Sequence, residues 1–217
     1  MATDLDLRER HELADLFDQV GPDAPTLCGD WTTLDLATHL VVRERDLLAG
    51  PGILFERALG GRLAVLTDRA MDRVRSRRTF DEIVEQVRTG PPLGPFRIRP
   101  LARTANLIEF FVHHEDVRRA GGATRRTDRP DLDRALWATL TRAAPLLVRI
   151  AALRDVQLVL DPGGERPRRV GRGPAVTIAG PPSELVLELY GRRTVAEVHL
   201  DGPADAVAAV RSADFGI

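Results

Sequence analysis

The chain has 217 residues, a formal net charge of -1 and a 43% hydrophobic content, with arginine as its only strongly basic residue type. That balance offers no electrostatic footprint for nucleic acid or an anionic membrane, and the apolar fraction argues against disorder. The absence of lysine excludes Schiff-base, pyridoxal-phosphate and P-loop chemistry.

The start, MATDLDLRERHEL, is charged and amphipathic, unlike a signal peptide, and no apolar run approaches the roughly 20 residues of a membrane span. A soluble cytoplasmic protein is expected. Leu5–Val20 predicts a helix whose apolar side is Leu5, Leu13, Leu16, Phe17 and Val20, and Gly21-Pro22 stops it. The single cysteine, Cys28, cannot form an internal disulfide, which suits a reducing compartment. It sits just before a helix start, where thiols are activated, but a small packing residue in the Leu27–Trp31 turn is the simpler reading. Trp31 reads as a core anchor.

Thr32 with Asp35 fits a capping-box variant and opens a second helix, expected to reach about Ala49. Phe55–Arg75 predicts a third, interrupted near Gly60-Gly61. Thr79 with Glu82 is a second capping box, for a short helix to about Arg88, followed by the breaker-rich Gly90–Pro95. Ala102–Ala120 predicts a helix apolar around most of its girth, hence buried, and stopped by Gly121-Gly122. Pro130–Ala151 is the last long helix, with a kink expected at Pro145. The period then changes. Val156–Leu160 and Ala175–Ala179 read as strands, with Arg168–Arg172 able to pair between them. Pro182–Arg192 reads as a helix, Val195–Leu200 as a strand and Ala204–Ser212 as a helix. A mainly α chain follows: a helical bundle over 1–150, then a small α+β domain over 151–217.

The chemistry concentrates on one helical stripe. Glu109, His113 and Asp116 have i, i+4 and i+7 spacing, one face over about two turns. A buried carboxylate must be paired, protonated or bound to a cation. Glu109 and His113 therefore form either a buried hydrogen-bonded pair or two ligands of one metal ion. Asp116 either orients His113 or caps the polar end. His39 shares a stripe with Asp35, Arg43 and Asp46, while Leu34, Ala37, Val41 and Leu48 lie opposite. It is either on a salt-bridged outer face or an inward third ligand. His114, about 100° round from His113 and beside Arg118, reads as exposed. So do His11, among Asp4, Arg8, Asp15 and Asp18, and His199, between Glu197 and Asp201. Arg192 and Arg193 read as a pair at a helix C-terminus or as a grip on a substrate carboxylate.

Two of these segments together carry a resemblance. PTLCGDWTTLDLATHLVVRERD (Pro25–Asp46), followed by EFFVHHEDVRRA (Glu109–Ala120), resembles the metal-binding domain of mycothiol-dependent maleylpyruvate isomerases. More closely it resembles an uncharacterised branch of that family. The segment VTIAGPPSELVLELYGRRTVAEVHLDGP is similar to the small C-terminal domain that accompanies it. The resemblance implies a DinB-like four-helix bundle in which His39, Glu109 and His113 hold a divalent metal, usually zinc. It implies a low-molecular-weight thiol such as mycothiol as cofactor, held as thiolate at an open metal position. Arg43, one turn beyond His39, becomes the candidate to meet an anionic group of thiol or substrate. Arg192 becomes the candidate from the small domain, and Asp116 the residue that tunes His113.

The function expected is thus a metal-dependent thiol S-transferase or isomerase acting on a small electrophilic substrate. The alternative is a non-catalytic metal-binding or ligand-sequestering stress module. The expected partners are the small-molecule substrate and the thiol, with no nucleic acid and no membrane, and a homodimer as one assembly option. In the thiol-transfer reading Cys28 is dispensable, because the reacting sulfur comes from the cofactor.

Overall fold

The computed structural model describes residues 4–45, 64–91 and 99–215, with side chains from Thr67 in the third helix and from Asn106 in the fifth. The chain is mainly helical with one small four-stranded sheet. Contacts divide it into two compact units, Met1–Thr124 and Arg125–Ile217.

The first unit contains α1 (Leu5–Val20), α2 (Thr33–Arg45), α3 (Ala64–Arg75), α4 (Phe80–Thr89) and α5 (Arg99–Ala120). Their ends follow local chemistry. α1 stops at Gly21, whose N–H closes the last turn on the Phe17 carbonyl and whose φ of 78° turns the chain out of the helix. α2 begins after a reciprocal cap: the Thr32 amide donates to Asp35 Oδ2 at 3.0 Å and the Asp35 amide to Thr32 Oγ1 at 3.4 Å. α4 has the full Thr79–Glu82 capping box and ends at Gly90, φ 70°. The expected reach of α2 to Ala49, the bend near Gly60-Gly61 and most of the loop beyond Pro91 lie outside the described residues.

α1 packs against α4 and α5, and α2 against α3 and α4. One apolar core, from Leu13 and Phe17 through Leu36, Leu40, Ile83, Val84 and Val87 to Phe110 and Val117, joins four of the helices. α2 resolves the question of which face is inward by burying both. Leu36, Ala37, Leu40 and Val41 enter the core with Glu44 on their face, while Arg43, from the His39 stripe, is also buried.

Three buried carboxylates, Glu44, Glu115 and Glu9, find basic partners in this unit. Arg10 grips Glu44 with both terminal guanidinium nitrogens, Nη1 to Oε2 at 2.8 Å and Nη2 to Oε1, also donates from Nη1 to the Val87 carbonyl at 2.7 Å, and lies 4.2 Å over the Phe110 ring. Glu115 accepts from Arg118 and Arg119. Glu9 meets His114 Nδ1 at 3.1 Å. His114 was expected to be exposed. It is buried because α1 covers that side of α5 and brings a fully buried carboxylate to it. His11 and His199 are exposed, as expected.

The second unit begins earlier than the expected boundary near 150. α6 (Pro130–Ile150), which contains Pro145, packs on α7 (Pro182–Leu189) and on strand β2 (Arg168–Gly171), so the last long helix belongs with the sheet. Sheet order is β2-β1-β3-β4, with β1 at Gln157–Asp161, β3 at Ala175–Ala179 and β4 at His199–Asp201. β2 is antiparallel to β1 on the outside rather than lying between β1 and β3, which pair parallel from Gln157↔Ala175 to Asp161↔Ala179. β4 is antiparallel to β3, and α8 (Ala204–Ser212) packs on β3. The alternating Leu158, Leu160, Val176 and Ile178 are buried together with Leu185, Val186, Leu187 and Leu189 of α7. No helix among the described residues is long and apolar enough to cross a membrane.

Candidate metal centre

α2 and α5 bring His39, Glu109 and His113 together. One donor atom from each lies within 4.8 Å of the other two. Glu109 Oε1 is 3.7 Å from His39 Nε2 and 3.3 Å from His113 Nε2. The two imidazole rings are 5.6 Å apart between centroids, and Trp31 packs against the His39 ring at 5.2 Å. The three side chains are 12%, 21% and 11% exposed.

The far side of the cluster is a chain of contacts through His113. Its Nδ1 lies 2.9 Å from Asp116 Oδ2, and Asp116 is fully buried. The Cys28 thiol donates to the same carboxylate oxygen at 3.0 Å, with its sulfur 4.0 Å from His113 Nδ1. The turn that carries Cys28 is fastened to α5: the Leu27 amide donates to the Asp116 carbonyl at 3.2 Å. Thr26 Oγ1 closes the turn by donating to the Trp31 carbonyl and accepting from the Cys28 amide.

Arg43 does not point toward solvent or an open cavity. It is 2% exposed, its Nε lies 3.0 Å from Glu109 Oε1, and its Nη1 donates to Asn106 Oδ1 at 3.3 Å. The cation expected to meet a thiol or substrate anion is engaged by the site's own carboxylate. Arg192, in the second unit, donates to the Tyr190 carbonyl at 2.6 Å, and Arg193 lies 3.4 Å from Glu188.

The charges follow from these contacts. Burial favours a neutral Glu109, but the Arg43 charge and the two imidazoles outweigh it and hold the carboxyl well below its usual range. Burial also disfavours a charged His113. Asp116, Cys28 and Glu109 together outweigh that and raise it well above the usual imidazole value. His39 goes the other way: burial lowers it, His113 and Arg43 push in the same direction, and Glu109 only partly offsets them.

These residues could hold a divalent ion. A separation of 3.7 Å is too long for a hydrogen bond, and 3.3 Å is long for one between charged partners. With ligand bonds of about 2.0–2.2 Å, two ligands of a tetrahedral ion stand about 3.4 Å apart. With Nδ1–H donating to Asp116, the Nε2 lone pair of His113 faces Glu109. Two other groups of described residues have donor atoms equally close: Cys28, His113 and Asp116, and Glu9, Glu12 and His114.

Of the residues singled out in the sequence, His39, Glu109, His113, Asp116 and Arg43 are brought together, whereas Arg192 belongs to the other unit. Cys28 and Asn106 were missed as members of the site. The only local signal for Cys28 was its place before a helix start, and Asn106 had none beyond sharing the face of Glu109. Comparison with family models, curated proteins and solved structures finds no match to the chain.

Proposed function

We propose that the protein is a metal-dependent thiol S-transferase or isomerase, of the kind its two motifs resemble, built on a DinB-like bundle with zinc at His39, Glu109 and His113. The observation that carries this reading is the spacing of Glu109 Oε1 from the two imidazoles. At 3.7 and 3.3 Å it suits co-ligands of one ion and not a self-sufficient hydrogen-bonded pair. The placement of a histidine on α2 and an E-x-x-x-H pair on α5 supports the DinB-like assignment.

When bound, a zinc ion with three protein ligands supplies one open position at which a small thiol such as mycothiol is held as thiolate. The protein's own groups do the rest. His39, held neutral by burial, donates without first losing a proton. Asp116 fixes the ring of His113 and keeps Nε2 directed to the ion. Arg43 holds Glu109 in place and limits the net negative charge of the ligand set. Glu109 and His113 keep some exposure, whereas Asp116 behind them is fully buried.

One observation favours the alternative of a non-catalytic metal-binding or ligand-sequestering module. Arg43, the bundle cation expected to meet a substrate carboxylate, is instead engaged by Glu109 and Asn106. Calorimetry of mycothiol against zinc-loaded wild type and His113→Ala separates the two. Binding to the wild type that the variant loses supports thiol transfer. Equal binding to both, or none at any zinc loading, replaces that reading with the metal-binding module.

A further inference from the structure

The imidazole of His113 stands between two donor sets. On its Nε2 side are Glu109 and His39, an all-nitrogen-and-oxygen set. On its Nδ1 side are Asp116 Oδ2 at 2.9 Å and Cys28 Sγ at 4.0 Å, with the two partners 3.0 Å apart. A tetrahedral ion with one S, one N and one O ligand spaces those atoms at about 3.3–3.6 Å, given bonds of about 2.3 Å to sulfur and 2.0–2.2 Å to nitrogen and oxygen. The three observed separations bracket that range, so shifts of a few tenths of an ångström would seat one. The sulfur comes from a turn tied to the Asp116 carbonyl by the Leu27 amide and closed on itself by Thr26, so it is presented by a fixed loop.

We propose that Cys28, Asp116 and His113 Nδ1 form a second metal position, specific for soft ions, that shares His113 with the first and is mutually exclusive with it. The exclusivity follows from the imidazole. A neutral ring has one lone pair and one N–H. With an ion on Nε2, the proton sits on Nδ1 and is held by Asp116. With an ion on Nδ1, the proton sits on Nε2 and is held by Glu109. Binding on the sulfur side also releases the thiol proton to solvent. Thiolate selects soft ions, whereas the His39–Glu109 side has no sulfur and suits borderline ones. The pair of positions thus lets the chain sort ions by softness, and a soft ion on the sulfur side takes His113 away from the other site. This position shares a residue with the proposed thiol-transfer site but does not depend on that activity.

Cadmium alone is the probe, added to the reduced, metal-free full chain. The wild type is expected to bind one cadmium ion and to show a sulfur-to-metal charge-transfer band. Cys28→Ser is expected to lose the band and to bind cadmium at least about tenfold more weakly, a direct ligand being worth no less than the partners that merely orient one. His39→Ala removes the other position only, and is expected to keep the band. Thermal melts of both variants in the absence of metal confirm that they fold. Absence of the band in the wild type overturns the proposal, as does unchanged cadmium affinity in Cys28→Ser. Two cadmium ions per chain overturn the mutual exclusivity. If zinc binding survives in Cys28→Ser while no band is seen in the wild type, the second position fails and the His39–Glu109–His113 site stands.

Discussion

Asp116 Oδ2 lies 2.9 Å from His113 Nδ1, and this contact sets which ring nitrogen faces Glu109. The carboxylate is fully buried, receives the Cys28 thiol as well, and its own backbone carbonyl accepts from Leu27. The orientation of the candidate ligand is therefore held by a buried residue outside the His39–Glu109–His113 set.

That arrangement makes Asp116 a positioning residue with a measurable signature. Asp116→Ala is expected to weaken zinc binding about 10–100-fold, the usual loss when a histidine ligand loses its outer partner. Asp116→Asn keeps an acceptor for Nδ1 and is expected to recover part of the loss. Competition with a chromogenic chelator reads both. Equal affinity in all three proteins would remove Asp116 from the account.

Metal binding is expected to weaken as pH falls. Asp116, Cys28 and Glu109 raise His113 well above the usual imidazole value, so a ring proton competes with an ion for Nε2. An ion must displace it, and each ion bound through Nε2 releases about one proton. The measurement is zinc calorimetry in buffers of different ionisation enthalpy at one pH, repeated at lower pH. An observed enthalpy independent of the buffer, or an affinity that rises with acid, contradicts the assignment.

The Arg10–Glu44 pair is expected to matter for stability and not for metal. Its side chains are 4% and 2% exposed. Glu44→Ala leaves the Arg10 charge buried without its main partner, at a cost of about 3–5 kcal/mol. Urea unfolding measures it. A loss under about 1 kcal/mol means that water reaches Arg10. By contrast, His11→Ala and His199→Ala are expected to change stability by less than about 0.5 kcal/mol, as exposed side chains do.

How far the sequence carries the argument depends on the range over which each signal acts. The Thr79–Glu82 box and the Glu109–His113 spacing are legible because both lie within one or two turns of helix. The Cys28–Asp116 contact joins residues 88 apart, and nothing near Cys28 announces it. His114 shares a helical side with Arg118 and so reads as solvent-facing. Its burial is decided by Glu9, on a helix 105 residues away in sequence. Arg43 reads as an available cation until the opposite helix supplies Glu109. The expected boundary near 150 marks where the period changes. The helix Pro130–Ile150 has the same period as the bundle, and only its packing assigns it to the sheet.

The central claim is that His39, Glu109 and His113 hold one divalent ion. Its most direct test is the metal content of the purified chain after zinc loading and gel filtration, for the wild type and for His39→Ala, Glu109→Gln and His113→Ala. The account predicts about one zinc per wild-type chain and a large loss in each variant, with unchanged helical content. A wild type that retains no zinc, or a His39→Ala and Glu109→Gln pair that retain it fully, contradicts the claim and leaves the cluster as a buried network of Arg43, Glu109, His113 and Asp116.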